Sequence, residues 1–248
     1  MIKAITFDFW DTLVLDDSDE PKRAAQGLGS KVETRLQLLT AEIRQYHPAI
    51  TSEQVEAAFV YANGRFRHYW KTLHTTPNVA SRLSKAYTWL GIDLTPGFHK
   101  LVRAVEFMEV EISPDFLPGV PETLAALAQT YKLGIISDVI HTPGRGLRQI
   151  LQREGLLSYF SHWVFSDEAG AAKPDPSVFE KAMAGLDVAY DELVHIGDRE
   201  SNDITGPLAM GMKAILITAA VDRYSANTQA TAVCARFAEL PTIIEQIK

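Results

Sequence analysis

The chain begins with a short apolar run. Residues 2–7 are mostly apolar with interspersed β-branched residues, and the run ends at Asp8. Such a run predicts a strand buried on both faces, as in parallel sheets. A carboxylate at the C-terminal end of this strand would lie where open α/β sheets bind ligands. It could equally cap the following turn, so both interpretations of Asp8 stay open at this point.

The next hundred residues show helical periodicity. A polar, proline-bounded segment over residues 15–21 predicts a loop. Beyond it, apolar residues recur every three or four positions, which is the spacing of one helix face. The predicted helices cover residues 32–46, 51–69, 80–90 and 98–110. We therefore expect residues 15–116 to form an α-helical cap inserted into another domain.

From residue 117 onward, strand and helix patterns alternate. The predicted strands cover residues 132–138, 162–167, 193–198 and 213–217, and the predicted helices residues 122–131, 142–154, 176–186, 204–210 and 240–247. This alternation is typical of a doubly wound parallel sheet. We expect a Rossmann-like α/β core made of residues 1–14 and 117–248, with five strands in all.

Composition narrows the classes of partner. The 248 residues are 46% hydrophobic, enough for a sizeable core. Acidic residues outnumber basic ones by 31 to 24 and no basic run stands out, which argues against nucleic acid or an anionic membrane surface. The single cysteine, Cys234, excludes an internal disulfide. Without a leader-like segment or an apolar stretch of roughly 18 residues, we expect a cytoplasmic protein.

Polar residues fall at the ends of the predicted strands. Four of them would meet at one rim of the sheet: Asp8, Ser137, Lys173 and Asp198. Together they could carry out phosphoryl transfer through a covalent aspartyl intermediate. Asp8 would attack phosphorus, while Ser137 and Lys173 would hold the phosphoryl oxygens. Asp198 and Asp8 would hold Mg²⁺, because a carboxylate and a phosphate repel each other.

Four motifs resemble those of the haloacid dehalogenase superfamily of aspartate-nucleophile hydrolases. Residues 7–13 are similar to D-x-D-G-T-L, and residues 135–138 to a strand that ends in Ser or Thr. Residues 166–176 contain the Lys-Pro of the third motif, and residues 196–204 match G-D-x-x-x-N-D. The predicted helical insertion lies where this superfamily carries a helical cap. The order and spacing of the four motifs make the resemblance specific.

The resemblance implies a role for each matching residue. Asp8 would be the nucleophile and a metal ligand, and Asp198 the second carboxylate ligand of Mg²⁺. The backbone carbonyl of Trp10 would be a further ligand. Asp203 would act from outside the coordination sphere, orienting metal-bound water or the lysine. The remaining expected residues are Ser137, Asp138 and Lys173 as phosphate-binding residues and Thr12 as a support behind the ligands.

Trp10 departs from the superfamily pattern. The phosphatases of the superfamily carry an aspartate two residues after the nucleophile, which protonates the leaving oxygen and later activates water. A tryptophan can do neither, and losing such help typically costs about 10²–10⁴ in rate. Asp11 replaces the usual glycine. His141 could substitute for the acid at neutral pH, but an exposed loop histidine without a role is the better interpretation.

Some other polar side chains have simpler interpretations. Arg65, Arg67, His68 and Trp70 cluster on a predicted cap helix, where a solvated face is favoured over substrate contact. His195 lies inside a predicted strand and is expected to be a packed core histidine. Cys234 is expected to be structural.

The sequence therefore predicts a Mg²⁺-dependent, phosphatase-like hydrolase that acts on a small phosphorylated metabolite. Two alternatives stay open. The aromatic residue at position 10 favours a metal-free 2-haloacid dehalogenase, and a homologue that lost turnover could serve in binding or regulation. We expect a small-molecule substrate, no nucleic acid or membrane partner, and a monomer or homodimer.

Overall fold

Parallel strands form a single six-stranded sheet in the computed structural model, which describes residues 1–223 and 225–248. The strand order is β3-β2-β1-β4-β5-β6, and every adjacent pair is parallel. The strands are β1 (Ala4–Phe7), β2 (Lys132–Ser137), β3 (Phe160–Phe165), β4 (Leu193–Gly197), β5 (Lys213–Ile217) and β6 (Ala232–Cys234). The predicted α/β fold with a parallel sheet is confirmed.

The register of the central strands decides where the polar residues meet. All four residues of β1 are buried, as its apolar sequence predicts. Phe7 pairs with Ile135 of β2 and with Ile196 of β4. Because these strands run in the same direction, their carboxyl ends lie at one edge. Asp8 and Asp198 follow directly after two of them.

The prediction of five strands was wrong by one. Strand β6 contains only three residues, of which Cys234 is fully buried. It pairs with β5 at the edge of the sheet. A strand of three residues is too short to show an alternation of polar and apolar residues, and so it was not predicted. The predicted structural role of Cys234 agrees with its position in the core.

Six α-helices lie between β1 and residue 116. They are α1 (Asp19–Ala25), α2 (Lys31–Tyr46), α3 (Ser52–Leu73), α4 (Val79–Leu90), α5 (Phe98–Glu106) and α6 (Met108–Glu111). Helix α3 begins with the predicted capping box, in which Thr51 accepts from Gln54 N and the Gln54 side chain accepts from Thr51 N. The prediction missed α1, and the helix predicted over residues 98–110 is interrupted at Phe107.

The remaining helices flank the sheet. They are α7 (Val120–Leu127), α8 (Gly144–Arg153), α9 (Ser166–Ala169), α10 (Pro176–Leu186), α11 (Thr205–Ala209) and α12 (Leu240–Gln246). Helix α10 has the predicted bounds, with Pro176 at its first position. No helix in the described parts of the chain is long and apolar enough to cross a membrane.

The inserted helices have a hydrophobic core of their own. Its buried residues all come from α2 to α5, including Leu39, Val55, Leu83 and Phe98. The largest cluster around β1, β2 and β4 shares none of these residues. Separate cores are typical of separate domains. We keep the division into residues 15–116 and residues 1–14 with 117–248 as a proposal.

A core substitution in α2 tests this division. Leu39 is fully buried, so Leu39→Ala should lower the free energy of unfolding by about 2–5 kcal/mol through lost transfer energy and a cavity. Under the proposed division, hydrogen exchange should accelerate in α2 to α5 much more than in β1 and β4. The matched control is Val60→Ala on α3, where the side chain is 58% exposed. An equal loss of protection in β1 and β4 would contradict the division.

Candidate active site

A buried lysine connects two of the carboxylates at the sheet edge. Lys173 Nζ lies 2.8 Å from Asp8 Oδ1 and 2.6 Å from Asp203 Oδ1. These side chains are 2%, 8% and 0% exposed, respectively. Burial alone would lower the pKa of Lys173, but the charges of Asp203 and Asp8 outweigh it and raise the pKa above its usual value. Lys173 is therefore a fixed cation beside the predicted nucleophile.

Asp203 is held by groups from three directions. Besides Lys173 on Oδ1, His195 Nε2 lies 3.2 Å from the same oxygen, and Arg199 N donates to Oδ2 at 2.9 Å. Burial opposes ionisation of Asp203, yet Lys173 and His195 hold its pKa below the usual range. Gly197 allows this approach, since a Cβ there would come within 2.2 Å of Asp203 Cγ. Both oxygens of Asp203 are thus engaged by protein groups.

His195 has the predicted place in the core and also an orienting contact. It is fully buried in β4, packs edge-on against Phe179, and its Nδ1 lies 2.9 Å from Thr6 Oγ1. Burial lowers the pKa of His195, so the ring is neutral near pH 7. A neutral ring that donates from Nε2 to Asp203 can accept the Thr6 hydroxyl at Nδ1. The histidine therefore fixes the position of Asp203.

The carboxylates at this edge form a set that suits a divalent cation. Asp8, Asp198 and Asp203 each offer an oxygen, and these oxygens lie within 4.8 Å of one another. Asp198 is 1% exposed, and its Oδ1 is buried without a hydrogen-bond partner among the described residues. Carboxylate oxygens are the ligands that Mg²⁺ prefers. Because Asp203 is already engaged, Asp8 and Asp198 fit the role of ligands best.

An arginine that the sequence analysis missed contacts this set. Arg223 pairs with Asp198 Oδ2 and, at 2.6 Å, with Asp11 Oδ2. Burial, followed by the charges of Asp8 and Asp203, raises the pKa of Asp198 to about 7, while Arg223 opposes the shift. Arg223 lies beyond β5, outside every motif, so no sequence signal marked it.

Asp11 makes side-chain contacts to two other segments. Its backbone has a φ of +52°, a conformation in which glycine is ordinary and aspartate is tolerated. Its side chain binds Arg223 through Oδ2 and accepts from Asp16 N at 3.1 Å through Oδ1. The aspartate in place of glycine therefore ties the turn after β1 to two other segments.

Ser137 and Asp138 follow β2 but differ in what they can bind. Ser137 is buried, and its hydroxyl lies 3.5 Å from the Asp138 carbonyl, too long for a strong hydrogen bond. The hydroxyl is thus available to a ligand. The Asp138 carboxylate accepts from Lys173 N at 2.9 Å, Trp70 Nε1 at 2.9 Å and Asn202 Nδ2 at 3.1 Å. These contacts tie the surrounding loops together, and the phosphate-binding role expected of Asp138 stays a prediction.

Two expectations about side chains near the site were wrong. Arg65, Arg67 and His68 are exposed as expected, but Trp70 is half-buried and donates to Asp138. His141 is half-buried in the wall of the cavity at Asp8, and is not an exposed loop histidine. Burial and the nearby cations lower the pKa of His141 well below 6.5. A neutral His141 is a poor proton donor near pH 7.

The cavity at Asp8 has a volume of about 210 Å³ and is lined by both parts of the chain. Trp10 lines it and packs edge-on against Phe9, with ring centroids 5.1 Å apart. Asp16 and Arg35 line it as well, although neither was predicted as a site residue. Burial, together with Asp17, raises the pKa of Asp16 to about 6. Which side chains of an insertion face such a cavity depends on how the helices pack, which periodicity does not encode.

Thr12 has no visible partner at the site. The residue is fully buried in the turn after β1, and its hydroxyl has no hydrogen-bond partner among the described residues. Its expected support of the ligands therefore stays a prediction, as does the role of the Trp10 carbonyl.

Comparison with known proteins agrees with this geometry. The chain is 27% identical over 219 residues to a glyceraldehyde 3-phosphate phosphatase of Methanopyrus kandleri, covering 88% of this chain and 84% of the relative. A crystal structure of a HAD phosphatase from Thermococcus onnurineus superimposes with a TM-score of 0.66 at 24% identity, covering 98% of both chains. A 2-haloacid dehalogenase structure from Pseudomonas syringae gives 0.68 at 23% identity, covering 100% of both.

The two structural similarities establish the fold alone, since phosphatase and dehalogenase share it. The family follows from the sequence match. A family model described as haloacid dehalogenase-like hydrolase matches residues 2–211, which include Asp8, Lys173, Asp198 and Asp203. This chain therefore belongs to the haloacid dehalogenase-like hydrolases.

Proposed function

We propose that this hydrolase is a Mg²⁺-dependent phosphatase that acts on a small phosphorylated metabolite through an aspartyl phosphate on Asp8. The observation that carries the proposal is the buried set of Asp8, Lys173 and Asp203 beside the unpartnered oxygen of Asp198. Such a set balances the charges that a carboxylate and a phosphate bring together. The relative from Methanopyrus kandleri named as a phosphatase supports the same activity.

The residues present can carry both half-reactions. An Asp8 oxygen forms a bond to phosphorus while the bond from phosphorus to the leaving oxygen breaks. Water then attacks phosphorus and loses a proton to solvent, since Trp10 offers no base; the bond from phosphorus to Asp8 breaks, which restores the carboxylate and releases phosphate. The Lys173 ammonium and the Ser137 hydroxyl hold the phosphoryl oxygens. Mg²⁺, held by Asp8 and Asp198, would supply the positive charge that offsets repulsion between nucleophile and substrate.

Two other functions compete with this one. The aromatic side chain of Trp10 at the cavity favours a metal-free dehalogenase. Because tryptophan cannot act as the general acid, it also favours a homologue that binds a ligand without turnover. A metal-free dehalogenase would leave the buried Oδ1 of Asp198 without a cation beside it. Asp198, with one oxygen free of protein partners, therefore supports the phosphatase.

The first test concerns the nucleophile. Asp8→Asn should reduce phosphate release from p-nitrophenyl phosphate by several orders of magnitude, because an amide cannot form the acyl-phosphate. The fold should survive, since the two side chains are nearly isosteric, and circular dichroism would check this. Asp191→Asn, an exposed site before β4, is the matched control. Turnover near that of the wild type would mean that Asp8 only caps the turn.

The second test concerns the cation. Calorimetry should detect Mg²⁺ binding to the wild type, and Asp198→Asn should abolish it because the amide lacks the charge that a hard cation requires. Asp191→Asn should bind as the wild type does. If the wild type shows no Mg²⁺ binding by calorimetry and by a competition assay with Mn²⁺, the metal-free dehalogenase becomes the better proposal.

The third test uses Trp10 to distinguish between substrates. An alkoxide leaves poorly without protonation, whereas an aryl or acyl phosphate leaves as a stable anion. We expect the wild-type rate to fall steeply as the pKa of the leaving group rises, measured over a series of aryl and alkyl phosphates. Trp10→Asp should raise alkyl-phosphate turnover by up to roughly 10²-fold and change activated substrates much less.

Trp10→Asn is the control for the third test, because it makes the same change in volume without an acid. It should not raise alkyl-phosphate turnover. A wild type with a flat dependence on the leaving group would show that another residue donates the proton. Asp16, which lines the cavity, would then be the first candidate.

A further inference from the structure

One wall of the active-site cavity comes from the inserted helices and carries cations. Lys31 and Arg35 of α2, Glu109 of α6 and His141 line the same cavity as Asp8 and Lys173. None of these four residues has a role in the reaction described above. Since a phosphate would already be held at Asp8, this wall is free to contact the rest of a substrate.

The two cations in this wall differ in how completely they are paired. Lys31 Nζ lies 2.9 Å from Asp17, 2.7 Å from Asp19 and 3.1 Å from Glu109. Three carboxylates thus surround one ammonium. Lys31 is therefore fully paired, and these ion pairs account for its burial by a structural role.

Arg35 is less well paired. It is 5% exposed, and Nη2 lies 3.3 Å from Glu109 Oε1. Glu109 is shared, because it also contacts Lys31 and accepts from the Thr142 hydroxyl. Arg35 Nε is buried without a hydrogen-bond partner among the described residues. A buried, unpaired donor on a charged group costs free energy, which a ligand can recover.

Several cations lie near His141. Burial, then Arg35, Arg82 and Lys31 in that order, lower the pKa of His141 well below 6.5. Arg82 is 8% exposed, and among the described residues its hydrogen-bond acceptors are neutral, Asn63 Oδ1 at 2.8 Å and the Ile140 carbonyl at 3.3 Å. Arg35 and Arg82 are thus less completely paired than Lys31.

We propose that Arg35 binds a carboxylate of the substrate, so that the enzyme acts on small phosphorylated carboxylic acids; this rests on the phosphatase function proposed above. The planar guanidinium presents paired N–H groups that match a carboxylate. A single negative charge matches the incompletely paired guanidinium of Arg35. A second phosphate group would place roughly two negative charges near Glu109 and Asp16, which line the same cavity. Repulsion from these carboxylates makes a phosphate a poorer match than a carboxylate.

The first experiment compares two substrates that differ only in the carboxylate. O-phosphoserine and O-phosphoethanolamine have the same phosphate linkage and the same amine. With wild-type enzyme and Mg²⁺, we expect kcat/KM for phosphoserine to be higher by roughly 10- to 100-fold, the usual value of a hydrogen bond to a charged group. The difference should appear mainly in KM, because the carboxylate is bound equally before and during the reaction. Equal values would overturn the proposal.

The second experiment assigns the preference to Arg35. Arg35→Met keeps a long side chain without charge, and it should remove the preference, measured as the ratio of kcat/KM for phosphoserine to kcat/KM for phosphoethanolamine. Arg44→Met is the matched control, since it makes the same substitution at an exposed position of α2, and it should keep the preference. A preference that survives in Arg35→Met would overturn the proposal. If that variant does not fold, Arg35→Lys is used instead. Lysine keeps the positive charge but lacks the paired N–H groups of the guanidinium, so it should reduce the preference for phosphoserine.

A binding measurement separates this proposal from the phosphatase function. In Asp8→Asn, where no turnover is expected, calorimetry should show tighter binding of phosphoserine than of phosphoethanolamine by roughly tenfold or more, and adding Arg35→Met should abolish the difference. Should the wild type release no phosphate from any substrate, the phosphatase function fails, while this comparison still decides whether Arg35 binds a carboxylate. Equal affinities would overturn the proposal by themselves.

Discussion

The active site depends on one buried ammonium. Lys173 Nζ contacts Asp8 and Asp203, which follow different strands, and no member of this set is more than slightly exposed. Breaking a buried ion pair from one side typically costs about 3–5 kcal/mol, because it leaves an uncompensated charge. Asp8, the segment after β3 and the segment after β4 are therefore positioned together. A parallel sheet makes this possible, since it delivers all three segments to one edge.

The two parts of the chain contribute different chemistry to the cavity. The sheet edge supplies fixed carboxylates and the lysine, which suit a reaction common to many substrates. The inserted helices supply Arg35 and Trp70, and Trp70 joins the two parts through its hydrogen bond to Asp138. Under the proposed roles, a substitution at Arg35 changes recognition without removing a side chain that pairs with Lys173 Nζ.

The sequence predicted the fold and the sheet-edge residues because both depend on local patterns. Apolar runs mark the strands, and parallel order places Asp8, Ser137, Lys173 and Asp198 at one edge. Strand β6 was missed because three residues carry no periodicity. Trp70 and Arg35 were missed as cavity residues for a different reason: both lie on amphipathic helices, and only the packing of those helices shows which side faces Asp8. Arg223 lies in a segment without a motif, so only the structure places it beside Asp198.

Arg223 has a consequence for how this chain can be compared with its relatives. The match to the hydrolase family covers residues 2–211, and Arg223 lies beyond it. Its pairing with Asp11 joins positions 212 residues apart in the chain. The motif that residues 7–13 resemble has glycine at the position of Asp11, so this ion pair joins a departure from the motif to a residue outside the matched region. Removing Arg223 would leave the mostly buried Asp11 carboxylate without this counterion.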